Sequence, residues 1–154
     1  MYNVGPYTFA PFKLVWREQT SSFAAGVIDV FEGKVVVADH KTMMVPFELD
    51  MEAHFCCACL NNSVASSLIR SYTVSTQINT HVLRYFFVPR FDRSNKGHER
   101  LAKLSKEAHQ LKEAGKQKEL TNLEQQIDQA AAGLWGIESK ELEQIQKALK
   151  ESED

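Results

Sequence analysis

Three sets of side chains in this sequence have the types and spacing that chemistry requires. Asp29 is followed ten residues later by Asp39-His40-Lys41, and Glu32-Gly33-Lys34 supplies a second acid-x-Lys. Two carboxylates with a lysine close behind can hold a hard cation and polarise a phosphodiester, so Asp29, Asp39 and Lys41 offer metal-dependent nuclease chemistry. The same pattern also arises from solvated residues in charged turns. The second set is Cys56, Cys57 and Cys59 beside His54. On a helix Cys56 and Cys59 share a face that Cys57 does not, and a zinc site draws a second ligand pair from elsewhere in the chain. The sequence has no second cysteine pair, so these thiols read as small buried hydrophobes. The third set is basic and polar: Lys13, Arg17, Lys41, Arg70 and Arg84 among Gln19, Thr76, Gln77 and Asn79. These are the side chains that hold phosphates and read base edges.

Other chemistries lack their signatures. No glycine pattern frames a serine as a nucleophile elbow, and no glycine-rich loop follows a strand to cradle a phosphate or dinucleotide. A methyltransferase needs such a loop and an Asn-Pro-Pro-aromatic catalytic motif, and neither occurs. The chain is therefore expected to carry no catalytic residue, no metal and no cofactor of its own.

The elements that must position the third set can be read from periodicity. Phe55, Cys56, Cys59 and Leu60 recur at helical spacing, with Asp50 and Glu52 at the end where the helix dipole favours acids. Asn61-Asn62-Ser63 interrupts this helix, and Ser63 is placed to cap a second one from Val64 to Ser71. Before this kinked pair lie strand-like segments: Lys13–Glu18, a hairpin of Phe23–Phe31 and Lys34–Ala38 around Glu32-Gly33, and Met43–Phe47. After it, the β-prone run Val82–Val88 predicts one more strand ending at Pro89. From His98 the spacing is helical, broken at Gly115 and again at Gly136, with Ser139 as the expected cap of a last helix, Lys140–Glu151. The expectation is an α+β fold: an antiparallel or mixed sheet packed on a central kinked helix pair, with a carboxyl-terminal helical extension. Residues 1–95 form the recognition part and 96–154 surface helices that do not need its core.

At 154 residues and 44% hydrophobic content, the chain holds one compact core. The absence of a leader-like amino terminus or a long apolar run, and cysteines too clustered for a disulfide framework, predict a cytoplasmic protein away from membranes. Charge is balanced through Asn95, with eight basic and eight acidic residues, and the remainder carries the net charge of −2. A stand-alone nucleic-acid binder is usually basic, so a domain that borrows affinity from a larger assembly fits better.

Four segments carry a resemblance in order and spacing. Asp50 to Tyr72, DMEAHFCCACLNNSVASSLIRSY, resembles the Leu-Asn-Ser helix of target-recognition domains in restriction-modification proteins. Tyr7-Thr8-Phe9 with Pro11, Lys13, Trp16 and Arg17 is similar to the opening of the specificity domain that follows the catalytic domain in large adenine-specific DNA methyltransferases. Asp39-His40-Lys41 before Val45-Pro46 resembles their strand leading into the helix, and Val88-Pro89-Arg90-Phe91-Asp92 with Leu134-Trp135-Gly136-Ile137 resembles their tail. The resemblance is to the carboxyl-terminal target-recognition domain of TaqI-like and Eco57I-like enzymes, the type IIG restriction-modification proteins. It implies sequence-specific recognition of double-stranded DNA beside a methyltransferase catalytic domain or subunit that holds S-adenosylmethionine. It also implies that specificity lies in the loops after Trp16 and after the central helices, Gln19–Ser22 and Ser71–Thr80.

Overall fold

The computed structural model describes residues 4–73, 78 and 82–152. Among them are three strands, β1 Phe12–Arg17, β2 Ala25–Ile28 and β3 Thr42–Phe47, in one antiparallel sheet of order β2-β1-β3. The described helices are α1 Asp50–Leu60, α2 Ser63–Tyr72, α3 Lys96–Glu113, α4 Gln117–Leu134 and α5 Ser139–Glu151. The class is α+β, with the sheet on a kinked helix pair and a helical carboxyl-terminal part, as the sequence patterns imply.

β1 is central because its alternation gives it one wholly apolar face. Leu14 and Trp16 are buried there. The register sets Val27 and Val45 opposite Leu14, and Ala25 and Met43 opposite Trp16, so each row of the face is apolar across all three strands. This face rests on Cys57 and Leu60 of α1. The opposite side of α1, through Phe55, Ala58 and Cys59, packs on Leu101, Ala102 and Leu104 of α3 and on Leu123, Ile127 and Ala131 of α4. Seven of the eleven residues of α1 are buried, which makes it the middle of three layers and explains why it lacks a polar stripe. Truncating Phe55 to Ala at this centre costs about 3–5 kcal/mol, a large part of a typical domain's stability.

The kink is built by its two asparagines. The Asn62 side chain accepts from Ala65 N–H at 3.0 Å and donates to the Ala58 and Cys59 carbonyls, satisfying orphan groups at the end of α1 and the start of α2 together. Asn61 turns its amide onto the edge of β2, accepting from Ala25 N–H at 2.9 Å and donating to Ala25 C=O at 2.6 Å, as a neighbouring strand would. Asn62, not Ser63, is thus the cap of α2. Ser63 is its first helical residue and bonds through backbone N–H and hydroxyl to the Asp128 carboxylate of α4. Its hydroxyl is drawn off by a partner that lies far along the chain.

Four further sequence expectations change. The hairpin turn forms, with Phe31 and Lys34 exchanging backbone bonds of 2.9 Å around Glu32 and Gly33 at positive φ, but residues 34–38 are not a strand. Residues 82–88 hold a 3-10 turn, Val82–Tyr85, and a non-strand segment. There Leu83 packs inward with Trp16 and Ile69, and Phe86 sits against Trp135. Both side chains also pack on the Leu14, Cys57 and Leu60 cluster, and this tertiary packing overrides the β-propensity of the run. Finally, α3 and α4 share their core with α1, so one core runs across the boundary expected at Asn95. α5 begins one residue earlier than expected, with Glu138 at its cap position and the Glu141 carboxylate accepting from Glu138 N–H at 2.8 Å.

Candidate nucleic-acid interface

Register brings three of the expected DNA-contacting residues to one end of the sheet. Arg17 ends β1 opposite Thr42, and Glu18 N–H donates to the Lys41 carbonyl at 3.0 Å, so Arg17, Gln19 and Lys41 all lie exposed at this end of the sheet, Lys41 in the row of Glu18 and Arg17 in the alternate row. Ile78 is anchored at the same place. Its N–H donates to the Glu18 carbonyl at 2.7 Å, and its carbonyl accepts from the Trp16 indole N–H at 2.9 Å. Its side chain is buried with Trp16 and Ile69. Thr76, Gln77 and Asn79 lie outside the described residues.

The other basic residues are placed differently. Lys13, which its type groups with the phosphate-holding residues, is only 2% exposed, and its ammonium donates to the Ala10 carbonyl at 2.6 Å. Burial pushes its pKa below the ordinary lysine value. The face of β1 away from the helices is therefore covered at this end, and Lys13 is a structural cation. Arg70 donates to the Leu149 carbonyl at 3.2 Å and to the Ser152 hydroxyl, at the carboxyl end of α5 where the helix dipole favours a cation. Arg84 is exposed on the 3-10 turn that packs beside α2.

Asp29 and Asp39 are not brought together. Asp29 follows Ile28, which pairs with Lys13, whereas Asp39 precedes Thr42, which pairs with Arg17. They flank opposite ends of β1, about 15 Å apart at the strand rise of roughly 3.4 Å per residue. The Asp39 carboxylate accepts from Lys41 N–H within its own turn. Among the described residues no group of three His, Cys, Asp or Glu is arranged to hold a metal ion. Burial raises the Cys56 thiol to about 12 and Cys57 to about 11, and Cys59 higher still, so none is a thiolate near neutral pH.

A buried polar chain that the sequence reading did not assemble links α1, α3 and β2. The His54 Nδ1 lies 3.1 Å from the Ser105 hydroxyl, and its Nε2 faces the Asp50 carboxylate at 3.5 Å. His109 stands edge-on to His54, with ring centroids 4.9 Å apart. Its Nε2 accepts from Val27 N–H at 2.9 Å, so its proton sits on Nδ1 and donates to the Ser105 carbonyl at 2.7 Å. Burial, then the neighbouring His109, lowers the His54 pKa to about 4, against the raising effect of Asp50. An acid, a histidine and a serine in a row suggest acyl transfer, but Ser105 is 2% exposed and His54 6%. Both are buried, and the chain acts as a clamp between layers. The local signal was the spacing of Ser105 and His109, one helical turn apart.

A cleft between the Thr20–Ala24 loop, the α1–α2 joint, α4 and α5 carries Glu124, Asp128 and Glu143 against Arg70 and Lys150. Acids outnumber bases there, so a polyanion is better served by the sheet end with Arg17 and Lys41. The described residues show no glycine-rich strand-to-helix turn. Gly33, Gly115 and Gly136, the described glycines at positive φ, lie in a hairpin turn and at helix ends. The strand-to-helix junction from β3 to α1 opens on Asp50 and Glu52 rather than on glycines.

No family model, curated protein or solved structure matches this chain. Among the described residues no helix is long and apolar enough to cross a membrane.

Proposed function

We propose that this chain is a sequence-specific DNA-recognition domain, non-catalytic alone, that reads double-stranded DNA for an adenine-specific methyltransferase or restriction-modification enzyme. The catalytic domain or subunit beside it supplies S-adenosylmethionine and the methyl transfer, and the setting is cytoplasmic. What supports this reading, besides the four resembling segments, is the junction at Ile78. Ile78, which falls within the second stretch that the resemblance nominates, is bonded to Glu18 and Trp16 at the base of the first. Exposed Arg17, Gln19 and Lys41 stand at that junction. A rigid base under polar loop residues is how binding loops are usually carried. Arginine and lysine there would hold phosphates, and Gln19 with Gln77 or Asn79 would read base edges.

The test is selection of bound duplexes from a random-sequence library by the full chain at low salt. The expected result is an enriched motif that relaxes or changes in Gln19→Ala, Gln77→Ala and Asn79→Ala. Retained duplexes with the sequence distribution of the input library would overturn the reading.

A further inference from the structure

The end of α2 and the 3-10 turn after it present a second feature that duplex recognition does not use. The Tyr72 and Tyr85 rings are stacked, with centroids 4.4 Å apart and planes within 11°. Each therefore covers one face of the other. Yet Tyr72 is 49% exposed and Tyr85 63%, so the outer faces of the stack are open to water.

Both rings are held from beneath. Tyr72 ends a helix whose Ile69 is in the core. Tyr85 ends a turn fixed by the Phe86 N–H to Leu83 C=O bond of 3.1 Å, with Leu83 in the Trp16 and Ile69 cluster. Two residues on, Phe87 is 75% exposed while its carbonyl accepts from the Trp135 indole N–H at 3.0 Å, so its backbone is fixed as well. The result is three exposed aromatic rings on an anchored backbone. Residues 63–72 and 82–91 contain no acid, and Arg84 and Arg90 are exposed within the second segment.

We infer that the Tyr72–Tyr85 stack, with Phe87 and Arg84, takes an unpaired nucleobase. In a paired duplex the faces of the bases are stacked on each other and only their edges are reachable, so an open ring face has a partner only where a base has left the helix or the strand is single. Stacking on tyrosine is tolerant of base identity, because every base has a π face, and an adjacent arginine can hold the phosphate. The site would add a strand-separation or single-strand contact to the recognition domain proposed above, and it rests on the reading of this chain as a DNA binder.

The experiment is fluorescence anisotropy of the full chain with a labelled single-stranded dT oligonucleotide, a paired duplex, and the same duplex carrying one extrahelical base. For Tyr85→Ala, affinity for the single strand and for the bulged duplex is expected to fall about tenfold while the paired duplex is unaffected, and Tyr85→Phe is expected to retain binding. Loss on the single strand alone would give a single-strand site; loss on the bulged duplex alone would give an extruded-base site. Equal loss on all three DNAs, or unchanged affinity on all, would overturn the inference. Wild-type binding to the paired duplex without preference for either unpaired form would overturn this inference and leave the recognition reading standing. Tyr85-dependent binding to the single strand with none to the duplex would do the reverse.

Discussion

The Trp16 indole N–H donates to the Ile78 carbonyl at 2.9 Å across 62 residues of sequence. Through it the core face of β1 holds Ile78. Trp16→Phe keeps an aromatic ring but leaves that buried carbonyl without its donor, so a loss of about 1–3 kcal/mol is expected. Urea denaturation measures it. A midpoint equal to that of the wild type would show that the bond does not hold Ile78.

Lys13 should behave as part of the scaffold. Lys13→Met retains the buried stem and removes a charge whose desolvation is already unfavourable, so stability should change by less than about 1.5 kcal/mol. Because its ammonium lies on Ala10 rather than toward solvent, the salt dependence of DNA binding should be the same in both proteins. A shallower slope in Lys13→Met would place Lys13 on a phosphate.

His54 gives the fold an acid-sensitive point. Its pKa is lowered from the ordinary 6.5 to about 4 in the folded chain. Above pH 6.5 it is neutral in both states. Between pH 6.5 and 4 the unfolded chain takes up a proton that the folded chain refuses, so stability falls as pH falls through this window, by up to about 3 kcal/mol. The comparison is between wild type and His54→Gln, each unfolded by urea at pH 7 and pH 4.5. The wild type should lose more than the variant, and parallel losses would remove His54 as the cause.

Asp128 should stabilise α2 although it lies on α4. Its carboxylate receives Ser63 N–H at 2.7 Å and the Gln146 amide at 2.7 Å, joining three helices at the positive end of α2. Asp128→Ala is expected to cost about 1–2 kcal/mol, the range for a lost helix cap. Thermal melting with unchanged midpoint would assign the capping to Asn62 alone.

What the sequence disclosed follows from where the determining interactions lie. α1, its kink and the carboxyl-terminal helices were legible because their patterns are local: apolar spacing, acids in the first turn, and Asn61-Asn62-Ser63 as a break. The cap was assigned one residue late because Ser63 is claimed by Asp128, 65 residues away. Residues 82–88 read as a strand from their valine and aromatic content, whereas Leu83 and Phe86, three apart, both pack on the Leu14, Cys57 and Leu60 cluster, a spacing that a 3-10 turn and not a strand provides. The grouping of Arg17, Gln19 and Lys41 depends on strand register, and the burial of Lys13 on the lead-in turn that bends back to it. The His54–Ser105–His109 chain joins three elements and leaves only a one-turn spacing in the sequence. The Tyr72–Tyr85 stack leaves no local trace, since its members are 13 residues apart and the residues between them are not periodic.

The central claim is that the sheet end carrying Arg17, Gln19 and Lys41 meets the phosphates of duplex DNA. It is tested most directly by titrating a labelled duplex with wild type and Arg17→Ala at several salt concentrations. The logarithm of affinity should fall linearly with the logarithm of salt, and Arg17→Ala should weaken binding to every duplex and reduce the slope by about one. Duplex binding with the same slope in both proteins would contradict the account, as would no duplex binding at the lowest salt.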